Sequence, residues 1–165
     1  MAQTKLGPNL ANTITDLPSL NSSAPAFVLT GNDMKDVSLS DFAGKKVVLN
    51  IFPSVDTSVC ATSVREFNKR VASLDNTVIL CISKDLPFAQ KRFCGAEGID
   101  KAITLSDFRS RGFGKNYGVE LTDSGFAGLF ARAVIVLDPS GKVKYAELVP
   151  QIGEEPNYEA ALKAL

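Results

Sequence analysis

Cys60, Cys81 and Cys94 are the only cysteines of the chain, and it contains no histidine. Any nucleophile must therefore be activated without imidazole. Ser-His-Asp and Cys-His catalysis are excluded, and so is every histidine-bearing metal site. Three dispersed cysteines fall short of the four thiolates of an all-sulfur zinc site, so neither metal nor cofactor is expected. Three is also an odd count and too few for a disulfide framework. In a reducing compartment such thiols rest unpaired, and a disulfide among them is transient and catalytic.

The three differ in their settings. Cys60 lies in NIFPSVDTSVCATSVREF, Asn50–Phe67, where an apolar run ends at Pro53 and a helix begins. It falls on that helix's apolar stripe, so it can pack as a small hydrophobe. It also falls in the first turn, where free N–H groups and the positive end of the dipole favour an anion. Helix N-termini are among the places where thiols ionise well below the ordinary value of about 8.5. Thr57 stands three residues earlier, making the pattern T-x-x-C in place of a C-x-x-C dithiol. Its hydroxyl can cap the helix or reach the sulfur or a bound substrate oxygen. Cys81 sits inside an apolar strand and reads as core. Cys94 sits in the last turn of a second helix, where the dipole disfavours a thiolate and the chain frays. It is either structural or a second attacker that follows Cys60. Arg132, at the head of the apolar run ARAVIVL, is a charge beside a buried strand. It must find a partner, point to an anion, or reach solvent from an edge.

The elements that position these residues follow from periodicity. Val47–Phe52 and Thr77–Ser83 are nearly continuous apolar runs of strand length, as in a sheet covered on both faces. Between them Cys60, Val64, Phe67, Val71 and Leu74 recur at helical spacing, giving a strand–helix–strand unit. Asp85 reads as the N-cap of a helix from Pro87 to Cys94, with Gly95 just past its end. Ala26–Thr30 and Ala102–Leu105 are further strand candidates. Asp41–Lys45 reads as a helical turn closed by Gly44, and Asp107–Tyr117 is ambiguous. Ala131–Leu137 and Lys142–Val149 flank Asp138-Pro139-Ser140-Gly141, a hairpin turn. Asn157–Leu165 is a final helix, and Gly7-Pro8-Asn9 marks a turn in an N-terminal hairpin. The order predicts an α/β fold with a mixed central sheet flanked by helices; a thioredoxin-like architecture fits that order, though order alone does not select it.

The totals narrow the partners. With 165 residues the chain suits a single domain, 1–165. Formal net charge is zero, and no basic block recommends nucleic acid or an anionic membrane. Lys91-Arg92 reads as a solvated helix face, and Gly112-x-Gly114-x-x-x-Gly118 is not the dinucleotide spacing. No apolar run approaches a membrane span. The first residues lack the basic and apolar regions of a signal peptide, so the expected location is the cytoplasm.

Pro53-x-x-x-Thr57-x-x-Cys60 resembles the P-x-x-x-[TS]-x-x-C signature of the peroxiredoxins. VLNIFPSVDTSVC, TVILCISKDLPFAQKRFCGAEG and GLFARAVIVLD, in that order, resemble the thiol peroxidase subfamily of the atypical two-cysteine type. The resemblance runs from about Ala26 to Leu165, and for the N-terminal segment it implies only the hairpin. It implies that Cys60 is the peroxidatic cysteine and Cys94 the resolving one. Pro53 would wall the pocket, Thr57 would hydrogen-bond the sulfur or the peroxide, and Arg132 would be the pocket arginine. It further implies a hydroperoxide substrate, an intramolecular Cys60–Cys94 disulfide, thioredoxin as reductant and a homodimer. Two other readings stand beside it: a redox-sensing interaction module and a reductase of protein disulfides. The missing C-x-x-C argues against the second.

Overall fold

A computed structural model describes Met1–Leu165. The chain opens with a hairpin, β1 (Gln3–Leu6) and β2 (Asn9–Asn12), turning at Gly7, whose φ of +63° suits a residue without Cβ. β3 (Val28–Thr30), β4 (Asp36–Ser38) and a 3-10 turn (Leu39–Phe42) follow. Next come β5 (Lys46–Ile51), α1 (Ser58–Val71), β6 (Thr77–Ser83), α2 (Pro87–Glu97) and β7 (Ile103–Ser106). A one-turn helix α3 (Phe113–Asn116), β8 (Ala133–Leu137), β9 (Val143–Leu148) and α4 (Tyr158–Lys163) complete it.

Seven strands form one mixed sheet in the order β4-β3-β7-β6-β5-β8-β9. β5, β6 and β7 are parallel, while β8 runs antiparallel to β5 and β9 to β8. The α/β class, the mixed sheet and the N-terminal hairpin agree with expectation.

Strand alternation sorts the core into two faces. Val47, Leu49 and Ile51 of β5 join Ala133, Ile135 and Leu137 of β8 in one cluster, which α3 and the loops around Phe27 and Phe130 cover. Val48 of β5 and Val134 and Val136 of β8 face the other way. There they meet Cys60, Val64, Phe67 and Val71 of α1, Phe93 of α2, and Tyr158 and Ala161 of α4. Phe67 lies edge-on to Tyr158 with ring centroids 5.0 Å apart. Burying a side chain such as Val64 or Phe67 contributes about 1.5–3 kcal/mol, so the apolar stripe holds α1 against the sheet.

Several boundaries differ from the sequence reading. α1 ends at Val71, which leaves Leu74 outside it and 40% exposed. α2 runs through Gly95 to Glu97; the stop is Gly98, at φ +65°, whose N–H bonds the Cys94 carbonyl. Leu86, not Asp85, occupies the N-cap of α2, and the Asp85 carboxylate turns to another task described below. β4 was not foreseen, and Asp107–Tyr117 contributes only α3.

Candidate active site

The site lies where the C-terminal end of β5 feeds α1. Pro53 is buried directly beyond the strand, and the chain turns through residues 53–57 into the helix. Thr57 is the N-cap residue, with extended backbone, and Cys60 is the third helical residue. The Ala61 N–H is the first to close a helical bond, to the Thr57 carbonyl. The amides of Ser58, Val59 and Cys60 therefore end the helix as free donors.

Parity places Arg132 opposite. Counting back from Val136 and Val134, Arg132 points to the same face of the sheet as α1. Its side chain is 1% exposed. Nη2 donates to Cys60 Sγ at 3.1 Å, and Nε donates to the Ile152 carbonyl at 2.8 Å. Nη1 is buried with no acceptor in the chain. No carboxylate pairs with this guanidinium. A buried cation without a counter-ion is costly, and the sulfur of Cys60 is the side-chain acceptor the chain sets against it.

The N-terminal hairpin braces the arginine from outside. Lys5 N–H donates to the Pro150 carbonyl, Ile152 N–H donates to the Lys5 carbonyl, and the Ile152 carbonyl then receives Arg132 Nε. Thr4 Oγ1 adds a bond to the Val149 carbonyl at 2.7 Å. A cleft of about 200 Å³ opens here, walled by Leu6, Val59, Phe126 and Ile152 with Pro53, Thr57 and Arg132 at its base. Cys60 itself is 0% exposed and lies beneath this floor.

Two of the contacts expected of Thr57 are not made. Its hydroxyl neither caps α1 nor reaches Cys60; it donates to the Ser54 carbonyl at 3.0 Å, closing the turn before the helix. Its lone pairs remain free to accept.

The other thiols sit apart from the arginine. All three cysteines are unpaired. Cys81 is buried on β6, with Asn50 Nδ2 at 3.7 Å from its sulfur. Burial pushes its pKa up to about 12, against a smaller opposing effect of the Asn50 amide. It is a neutral core residue. Cys94 is partly buried in the last turn of α2, with its sulfur 3.6 Å from Thr104 Oγ1. Thr104 spends its own proton on Asn32 Oδ1 at 2.9 Å, so it accepts from the Cys94 thiol.

The structure thus brings together Pro53, Thr57, Cys60 and Arg132 and leaves Cys94 on another helix. Sequence reasoning missed the Ile152 carbonyl, the apolar wall of Leu6 and Phe126, and the Asp85 carboxylate. The first two come from segments with no motif. For Asp85 a signal existed in the hydroxyls Ser54 and Ser83, which stand beyond and at the ends of neighbouring parallel strands.

A redoxin family profile matches residues 19–162 of the chain. Thiol peroxidases of Mycobacterium tuberculosis and Mycobacterium bovis are each 58% identical to it over 165 residues, covering 100% of this chain and 99% of theirs. Among solved structures, a peroxiredoxin-like protein from Aquifex aeolicus superposes with a TM-score of 0.92 at 36% identity, covering 98% of this chain and 95% of that one. A thiol peroxidase from Chromobacterium violaceum superposes with a TM-score of 0.90 at 24% identity, covering 98% and 94%, and speaks for the fold.

Proposed function

We propose, for a chain that belongs to the redoxin family and within it to the thiol peroxidases, that Cys60 reduces hydroperoxides and Cys94 resolves the product. The observation that carries this reading is the buried guanidinium of Arg132, 3.1 Å from Cys60 Sγ and without any carboxylate.

In the first step the Cys60 thiolate attacks the terminal peroxide oxygen, an S–O bond forms and the O–O bond breaks. The leaving alkoxide or hydroxide takes up a proton and departs as alcohol or water, and Cys60 becomes a sulfenic acid. Negative charge moves from sulfur to the leaving oxygen. Arg132 Nη1, which has no acceptor in the chain, and the first-turn amides are donors available to such an oxygen. Thr57 Oγ1 is bound to Ser54 but keeps lone pairs for the peroxide proton. Pro53 and the cleft walls exclude water, which strengthens each of these contacts.

In the second step Cys94 attacks the Cys60 sulfur, expelling the oxygen as water and forming an intramolecular disulfide. A disulfide requires Cα atoms within about 4.4–6.8 Å. Cys60 is enclosed on the buried face of α1 and Cys94 is engaged with Thr104, so both must leave these positions. A dithiol reductant of the thioredoxin type then exchanges with the disulfide, is itself oxidised and returns both thiols. We place the whole chain, 1–165, in one thioredoxin-like domain that acts as a homodimer. No helix is long and apolar enough to cross a membrane.

Peroxide consumption coupled to thioredoxin, its reductase and NADPH tests the cycle. Cys60→Ser abolishes it. Full activity in that variant would falsify the assignment.

A further inference from the structure

Asp85 stands between the end of β6 and the first turn of α2, and three donors converge on its carboxylate. Oδ1 accepts from Ser54 Oγ at 2.7 Å, and Oδ2 accepts from Val55 N–H at 2.9 Å and from Ser83 Oγ at 2.6 Å. Ser54 and Val55 belong to the 53–57 loop that roofs Cys60. No lysine or arginine pairs with this carboxylate. Its charge is held by those donors alone, through bonds that are stronger for being charge-assisted.

The contacts continue into α2. Ser83 Oγ has given its proton to Asp85, so it accepts from Gln90 Nε2 at 3.1 Å. Gln90 is 0% exposed, lies four residues before Cys94 and donates again to the Leu105 carbonyl at 2.9 Å. The main-chain carbonyl of Asp85 receives Ser106 Oγ from β7. One side chain thus joins the loop in front of the Cys60 helix to the helix that carries Cys94.

We propose that Asp85 is a positioning residue for the peroxidase reaction: it clasps the 53–57 loop shut over Cys60 and, through Ser83 and Gln90, fastens that loop to the Cys94 helix. This rests on the roles given above to Cys60 and Cys94. The closed clasp shapes the pocket for attack on peroxide. It also opposes the second step, in which both cysteines must leave their places. Loosening it therefore slows the first step without slowing the second, whereas losing a residue that merely supported the fold would slow both.

The test follows thiol, sulfenic acid and disulfide forms by quenched-flow mass spectrometry after adding hydrogen peroxide to the reduced, full-length protein. Asp85→Asn presents an N–H₂ to donors that need an acceptor. Cys60 oxidation is expected to slow about tenfold, on the scale of one lost charge-assisted hydrogen bond, while disulfide formation is as fast as in the wild type or faster. Ser54→Ala keeps the carboxylate and removes one donor; it slows only the first step, about threefold, and carries the test if Asp85→Asn does not fold. Asp138→Asn disturbs a comparable carboxylate in the β8–β9 turn, bound by Ser140 and Lys142, and leaves both steps within about twofold. Wild-type rates in Asp85→Asn, equal slowing of both steps, or an unchanged first step in Ser54→Ala would overturn the clasp. A wild-type protein that forms no sulfenic acid at Cys60 would instead overturn the functional reading beneath it.

Discussion

Arg132 Nη2 donates to Cys60 Sγ across 3.1 Å in the core of the protein, with both residues at 1% exposure or less. A buried guanidinium needs acceptors within the fold, and the Cys60 sulfur is one of them. On the proposed reading, this pairing is how a chain without histidine keeps a sulfur reactive: the cation stands directly before β8 and the sulfur in α1, so neither can drift from the other.

Replacing Arg132 by Met separates the chemistry from the fold. Loss of a preorganised donor costs on the order of 10²–10³ in rate, so Arg132→Met should reduce peroxide at least about a hundredfold more slowly in stopped-flow assays. Its melting temperature should match or exceed the wild type, because an apolar residue of similar volume in place of a buried charge is often neutral or stabilising. A variant that unfolds but keeps its per-molecule rate would mean that the arginine is structural.

Removing the sulfur has the opposite signature. Cys60→Ala leaves the guanidinium buried and unpaired, which costs about 3–5 kcal/mol. A double-mutant cycle by urea denaturation should show that Arg132→Met recovers much of this loss. If Cys60→Ala destabilises no more than Cys81→Ala, Cys60 packs as a neutral thiol and the pairing has no energetic weight.

Cys81 supplies a pH test. Its thiol is pushed up to about 12 in the folded protein by burial, well above the ordinary thiol range. Burial also pushes the Tyr117 hydroxyl upward. The unfolded chain releases these protons at lower pH than the folded one. Stability from Cys81 is thus intact below pH about 9 and declines as pH rises toward about 12. Urea midpoints should fall between pH 8 and 10.5, and Cys81→Ala should flatten that fall. At pH 8 iodoacetamide should label Cys81 only after unfolding; rapid labelling of the native protein would place the thiol in solvent.

Much of the site was legible because its signals are local. The 4-3-4-3 spacing after Pro53 puts Cys60 both on the buried stripe and in the first turn, and the structure has it in both. Arg132 at the head of a buried strand had to find a partner, point to an anion or reach solvent, and strand parity turned it inward onto the Cys60 sulfur. The misreadings came from competition that one sequence does not display. Gly95 read as the helix stop, yet Gly98, three residues on, is the one that takes a left-handed φ. Asp85 had the look of an N-cap, yet three donors gathered from two strand ends outbid the local amides. The Thr57 hydroxyl, open from the sequence to the helix amides or the sulfur, donates to a carbonyl three residues back. β4, three polar and partly exposed residues, has no alternation to read.

The most direct measurement is the intact and peptide mass of the Cys94→Ser variant after one equivalent of hydroperoxide. The account requires one added oxygen atom per chain, located on Cys60, one equivalent of alcohol or water released, and no further turnover with thioredoxin. An oxygen on Cys81, or unoxidised Cys60 beside consumed peroxide, would contradict it.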